Sequence, residues 1–216
     1  MLVMLPFLSG CTEEGEPSPP PGTYENFADG TWTESDDYSS IEATSNVITV
    51  TSLPANCDET WYQKNIGSVT TFSHAITFTM TNHFESDANA YVWLLTSDQT
   101  SNSYNDAYVN NREGLGIYIL RRSAQGDIRL TLRDHSGGSE DYDSMEITEG
   151  TTYTLTIEGD GSTVDVDVKS GGVTVGTLTV PDLNPEARSW LCVVAGRDLG
   201  GTGTISYTVE NLDLNA

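Results

Sequence analysis

Bases are scarce in this chain of 216 residues: nine Lys and Arg stand against 32 Asp and Glu, a net charge of −23, and only Lys64 and Lys169 are lysines. A field of that sign repels a phosphate backbone, which excludes nucleic acid as a partner. Histidine is equally sparse. His74, His83 and His135 lie far apart, without the His-x-His or His-Glu-x-x-His spacing that zinc chemistry uses. No Gly-x-Ser-x-Gly elbow, Walker loop or full Gly-x-Gly-x-x-Gly is present, so the familiar hydrolase and nucleotide templates are missing too. No window of about eleven residues repeats at helical period, and no stretch approaches the roughly 18 apolar residues of a membrane span.

What is present begins with a processing signal. Met1 to Ser9 is almost wholly apolar, and Leu8-Ser9-Gly10-Cys11 has the form of a bacterial lipobox, in which cleavage leaves an N-terminal cysteine that carries lipid. No Lys or Arg precedes the apolar run, which departs from the usual signal. The tract Thr12 to Gly22, rich in Glu and Pro, cannot build a core and reads as a stiff, self-repelling tether. The expected organisation is therefore a signal over residues 1–11, a tether over 12–22 and a folded domain over 23–216, exported and held at the cell envelope through lipid on Cys11. Three cysteines are an odd number for an exported chain, and lipidation of Cys11 leaves Cys57 and Cys192 as a pair. Sequence leaves open whether they form a disulfide or stay as two buried thiols.

From Tyr24 onward, short runs of Val, Ile, Thr and Tyr alternate with clusters of Gly, Asn, Asp and Ser, which predicts an all-β, two-sheet antiparallel sandwich of about thirteen strands. Gly159-Asp-Gly161 and Ser170-Gly-Gly172 supply the positive φ of tight hairpins and bound a meander from Thr152 to Val180. Within it Tyr153, Leu155, Ile157, Val164, Val166 and Val168 share one face, and the residues between them are polar. Tyr91 to Leu95, Leu115 to Leu120 and Trp190 to Ala195 are apolar on both faces. Such strands are either covered on both sides or floor an aromatic groove.

Several phrases carry a resemblance. Glu113 to Ile119, Glu149 to Gly161, the Val164 to Val180 meander and Gly203 to Leu214 together resemble the concanavalin A-like lectin/glucanase superfamily of laminin-G-like jelly rolls. The resemblance spans roughly Tyr24 to Leu214. It implies a concave and a convex sheet, with ligands on the concave face or rim loops and calcium often nearby. It does not choose among lectins, carbohydrate-binding modules, adhesion domains and glycosidases. Glucanase-like members carry Glu-x-Asp-x-x-Glu on one strand. The nearest look-alike, Thr163 to Lys169, has only Asp165 and Asp167, so a retaining pair is not expected there.

Candidate ligand residues come from the loop Asp98 to Arg112, where carboxylates, amides and tyrosines mix as sugar recognition requires. They are Tyr104, Asn105, Asp106, Tyr108, Asn110 and Arg112, with Trp93 and Tyr118 as the expected groove floor. For calcium, the acidic turn Thr33 to Tyr38 offers Asp36 and Asp37, which Asp213 on the last strand would join in a clasp, and the Asp134 to Asp143 segment offers further oxygen donors. Five arginines between Arg112 and Arg133 read as neutralising neighbouring carboxylates. The expected function is a cell-surface lipoprotein that binds carbohydrate without catalysis. The alternatives are a structural or adhesive envelope protein that contacts other surface proteins, and a polysaccharide hydrolase or lyase.

Overall fold

Alternation of apolar and polar residues at period two produces fourteen strands in the computed structural model, which describes residues 24–57, 60–85, 88–97, 114–122, 124–136, 139–183, 185, 188–197 and 201–216. In chain order they are β1 (Thr33–Ser35), β2 (Ile41–Thr44), β3 (Val47–Pro54), β4 (Trp61–Val69), β5 (Phe72–Asn82), β6 (Asn89–Thr96) and β7 (Gly114–Arg122). The remainder are β8 (Asp127–Ser136), β9 (Ser139–Glu146), β10 (Thr152–Gly159), β11 (Thr163–Ser170), β12 (Val173–Pro181), β13 (Arg188–Arg197) and β14 (Thr204–Asp213).

They form two antiparallel sheets of seven strands, ordered β1-β4-β13-β6-β7-β8-β9 and β12-β11-β10-β5-β14-β3-β2. The expected all-β sandwich is what the chain adopts, with one strand more than the sequence suggests. That strand, β2, has only four residues at a sheet edge, and pairs with β3 through the two-residue turn Ser45-Asn46. The last two strands are central, β13 between β4 and β6 and β14 between β5 and β3, so each sheet is completed only by the end of the chain.

One continuous core lies between the sheets, built from Ile76, Phe78, Leu155 and Val166 on one side and Trp93, Ile117, Leu130 and Leu191 on the other. The β10–β12 meander behaves as its pattern predicts, with Tyr153, Leu155, Ile157, Val164, Val166 and Val168 buried and Glu158, Asp165 and Asp167 exposed. At its first turn Gly161 takes a φ of 85°, while Asp160 accepts the backbone N–H groups of Ser162 and Thr163. The Asp134 to Asp143 segment, read as a loop that could gather calcium donors, is instead largely the β8–β9 hairpin. There Asp134 accepts the N–H of Leu183 at 2.7 Å, and Asp143 accepts that of Thr179 at 3.1 Å, linking the two sheets at this edge.

The two ends of the described domain meet: Tyr24 bridges to Asp213, and Glu25 N–H donates to the Leu212 carbonyl at 2.8 Å. Asp36 and Asp213, expected to clasp calcium here, engage backbone N–H groups. Asp36 turns its carboxylate onto the N–H groups of Tyr38 and Ile41, Asp213 accepts from the N–H of Asn215, and among the described residues no three His, Cys, Asp or Glu side chains gather as a metal would need. Asp37, the other member of the proposed clasp, belongs to no such group either.

Candidate functional site

Strands β6, β7, β8 and β9 are adjacent in the first sheet, and their outer face, away from the core, carries the site. On β7 alternation turns Leu115, Ile117 and Ile119 inward and Tyr118, Leu120 and Arg122 outward. On β8 Leu130 and Leu132 point inward, leaving Arg129, Thr131 and Arg133 outside. On β9 Tyr142 and Ser144 stand opposite Arg133 and Thr131. Together these side chains line a cleft of about 260 Å³. Its floor is Tyr118, 5 % exposed, and its wall is Tyr142, 65 % exposed.

A second, smaller apolar cluster of Trp61, Tyr91, Leu94, Tyr118 and Cys192 supports this floor. Tyr91 packs on Tyr118 with ring centroids 5.0 Å apart, and lies so close to β7 that a Cβ on Gly116 would come within 2.4 Å of it. Gly116 is thus the position that lets the Tyr91 ring approach β7 beside Tyr118.

The charges are fixed by hydrogen bonds. Arg122 donates through two nitrogens to Asp127, and this guanidinium holds the Asp127 carboxyl below its usual range. Arg129 reaches Asp127 at 3.6 Å and donates to the hydroxyl and carbonyl of Ser144 at 2.9 Å and 2.5 Å. Arg133 faces Gly116 on one side and Tyr142 on the other. Among the described residues the lining holds three guanidiniums and no carboxylate, in a chain of net charge −23. Three of the five clustered arginines line this cleft, and Asp127 takes a carboxylate contact from two of them.

Of the residues expected from sequence, Tyr118 is at the site and Trp93 is not. A bulge between Tyr91 and Trp93 reverses the alternation of β6, so Tyr91 and Leu94 face outward while Trp93 is fully buried in the core. Tyr104, Asn105, Asp106, Tyr108, Asn110 and Arg112 lie outside the described residues, as does Cys11. Cys57 and Cys192 are two separate buried thiols. The Cys57 sulfur sits against Gly196, four residues and roughly 13 Å along β13 from Cys192, beyond the span of a disulfide. Arg122, Arg129, Thr131, Arg133, Tyr142 and Ser144 were missed as ligand candidates. The signal was there in Arg129-Leu-Thr-Leu-Arg133, a strand with one basic, hydroxylated face in an acidic protein.

Two other hollows suit a ligand less. That over Asp165, Asp167 and Glu158 is acidic and lies on the outer face of the opposite sheet, where Asp165 accepts the Thr179 hydroxyl at 2.6 Å. The hollow at Phe27, Trp32 and Tyr62 is lined by rings already packed on one another, Trp32 stacked on Tyr62 at 5.5 Å.

No family model and no curated protein matches the chain. Solved structures do. A legume lectin-like domain from Entamoeba histolytica is similar over 84 % of this chain and 88 % of its own, at 15 % identity and a TM-score of 0.56. An alginate lyase from Alteromonas sp. 272 is similar over 87 % and 94 %, at 12 % identity and 0.56. The carbohydrate-binding module CBM66 from Bacillus subtilis is similar over 86 % and 96 %, at 15 % identity and 0.52. At such identities the likeness concerns architecture alone, and the architecture is a legume lectin-like, concanavalin A-like jelly roll.

Proposed function

We propose that the protein binds carbohydrate in the cleft of β7, β8 and β9, without catalysing a reaction on it. The observation that carries this reading is the exposed ring of Tyr142 beside the aromatic floor of Tyr118, with the hydroxyls of Thr131 and Ser144 and the guanidinium of Arg133 between them. A pyranose has an apolar C–H face that stacks on a ring and a rim of hydroxyls that needs fixed donors and acceptors. The volume falls below the ~300–1,000 Å³ of sites that enclose a drug-sized ligand, which suits one or two sugar rings on an open surface. The lectins and the carbohydrate-binding module among the similar structures support the same reading. A paired-carboxylate hydrolysis finds no carboxylate pair among the described residues of the cleft lining.

Calorimetric titration of a panel of neutral and acidic oligosaccharides tests the reading. At least one should bind, and Tyr142→Ala should weaken it by about tenfold or more, the scale of one lost aromatic contact. Absence of binding across the panel, or binding indifferent to Tyr142, rejects it.

The lipobox at Leu8 to Cys11 and the tether that follows support display of this domain from a cell envelope. Metabolic labelling with a radioactive fatty acid, lost in Cys11→Ser, is the corresponding test. A second reading, an adhesive contact with another protein, is favoured by Val173 and Val175, 66 % and 48 % exposed on the edge strand β12. Concentration-dependent association that Val173→Lys abolishes would support it.

A further inference from the structure

A further hollow lies on the outer face of the second sheet, on the opposite side of the sandwich from the cleft. Its volume is about 540 Å³, within the ~300–1,000 Å³ of sites that enclose a ligand. Lys169 and Asp213 line it, with Thr77, Thr154 and Asn211, and with Tyr24 held beside Asp213 by their backbone bridge. We propose that this hollow binds a short peptide with free ends, its carboxylate received by Lys169 and its ammonium by Asp213.

Charge carries the argument. Of the two lysines, Lys64 is paired with Glu25, whereas Lys169 is half-buried and has no partner among the described residues. An ammonium drawn from water without a counter-ion is costly, and an anionic ligand group relieves that cost. Asp213 accepts the N–H of Asn215 through one oxygen at 2.9 Å, which leaves the other for a donor. Opposite charges in one hollow call for a zwitterion. Such a ligand is neutral as a whole, so the net charge of −23 does not repel it. An uncharged sugar satisfies neither group as strongly.

The span selects a peptide over a single amino acid. Lys169 on β11 stands opposite Thr154 on β10, and Thr154 opposite Thr77 on β5. Strand β14 comes next, with Asp213 opposite Ala75. Three strand spacings put about 14 Å between the two backbones, and the reach of the lysine stem shortens the gap between the charges. An extended peptide covers roughly 3.3–3.6 Å per residue, so about three residues bridge it. Along the way it meets the hydroxyls of Thr77 and Thr154, bonded to each other at 3.1 Å. It also meets Asn211, whose Oδ1 accepts from Asn46 at 2.6 Å and whose amide NH₂ is left to donate. The other acids nearby are Asp167, two residues before Lys169 in the acidic hollow, and Glu210, opposite Thr77; neither lines this one.

The test is calorimetric titration of the full chain, at about 0.15 M salt, with trialanine, triglycine and alanyl-phenylalanyl-alanine. Each is also used with its amine acetylated and, separately, with its carboxylate amidated, and maltotriose serves as an uncharged non-peptide. At least one free tripeptide should bind, and either cap should weaken it by about tenfold or more, the worth of one charge-assisted hydrogen bond. Lys169→Gln should remove the penalty of amidation and keep that of acetylation, and Asp213→Asn should do the reverse. Circular dichroism establishes that each variant folds; should Asp213→Asn not fold, the Lys169→Gln result decides alone. No binding by any tripeptide, caps without effect, or an amidation penalty that survives Lys169→Gln overturns the proposal. Maltotriose binding that Lys169→Gln abolishes makes the hollow a sugar site and overturns it equally.

Discussion

Trp93 on β6 donates its indole N–H to Nδ1 of His74 on β5 across 3.3 Å, joining the two sheets inside the core. Because Nδ1 accepts, the ring is neutral, with its proton on Nε2. Phe72 packs beside both rings, 5.2 Å from His74 and 5.7 Å from Trp93. Tyr207 makes a second tie of this kind, donating its hydroxyl to the Tyr91 carbonyl at 3.3 Å.

Burial of His74 in this position makes stability depend on pH. Burial lowers the His74 pKa from 6.5 to about 4, with Asp213 opposing the shift only in part. The unfolded chain takes up the proton near pH 6.5 and the folded one only near 4, so the contribution is complete above 6.5 and is lost as pH falls toward 4. The difference corresponds to roughly 3 kcal/mol. His83, also lowered by burial, adds in the same direction. Urea midpoints measured from pH 7 to pH 4 should fall, and His74→Gln, which keeps an acceptor for Trp93, should flatten most of that fall. An unchanged profile in the variant would show that His74 is not the group responsible.

Arg188 and Asp182 form a two-bond ion pair at 3.1 Å and 2.9 Å, with side chains 1 % and 0 % exposed, where β12 hands over to β13. Asp182→Ala leaves a buried guanidinium without its counter-ion and should cost about 3–5 kcal/mol by chemical denaturation. The pair Asp182→Leu with Arg188→Met should recover much of that loss, since the cost lies in stranding one charge.

Gly116→Ala should strike the site and the fold together. The added Cβ would meet the fully buried Tyr91 ring at 2.4 Å, whereas at Gly114 the nearest atom is 3.2 Å away. Overpacking of this kind costs about 1–3 kcal/mol, and displacement of Tyr91 should carry Tyr118 with it. Thermal melting and saccharide affinity should both drop for Gly116→Ala, and much less for Gly114→Ala.

Alkylation under native conditions should spare Cys57 and Cys192, both fully buried, and denaturant should expose both without a reductant. Peptide mass spectrometry reads this directly. A peptide pair linked through the two cysteines would contradict their separation of roughly four residues' rise, about 13 Å, along β13.

The sandwich was legible because period-two alternation and glycine turns are local signals, and the β10–β12 meander shows them in their plainest form. Trp93 was misplaced for a physical reason: a single bulge shifts every later side chain of β6 to the other face, and a bulge leaves no mark in alternation. The cleft was half legible. Tyr118 stood out among doubly apolar strands, but Arg129, Arg133 and Tyr142 come together only through the β7–β8–β9 register. Arg122 and Arg129 do act as counter-charges, to Asp127, as their clustering suggests, but the pairing of strands is what sets them on one face with Arg133.

The most direct measurement is a residue-resolved titration of ¹⁵N-labelled protein with the oligosaccharide that binds best in the panel. Saturable shifts should centre on Gly116 to Arg122, Arg129 to Arg133 and Tyr142 to Ser144, with the Asp165 and Asp167 strand silent. Saturable shifts confined to β10–β12 would contradict the assignment of the site, and no saturable shift with any panel member would contradict carbohydrate binding itself.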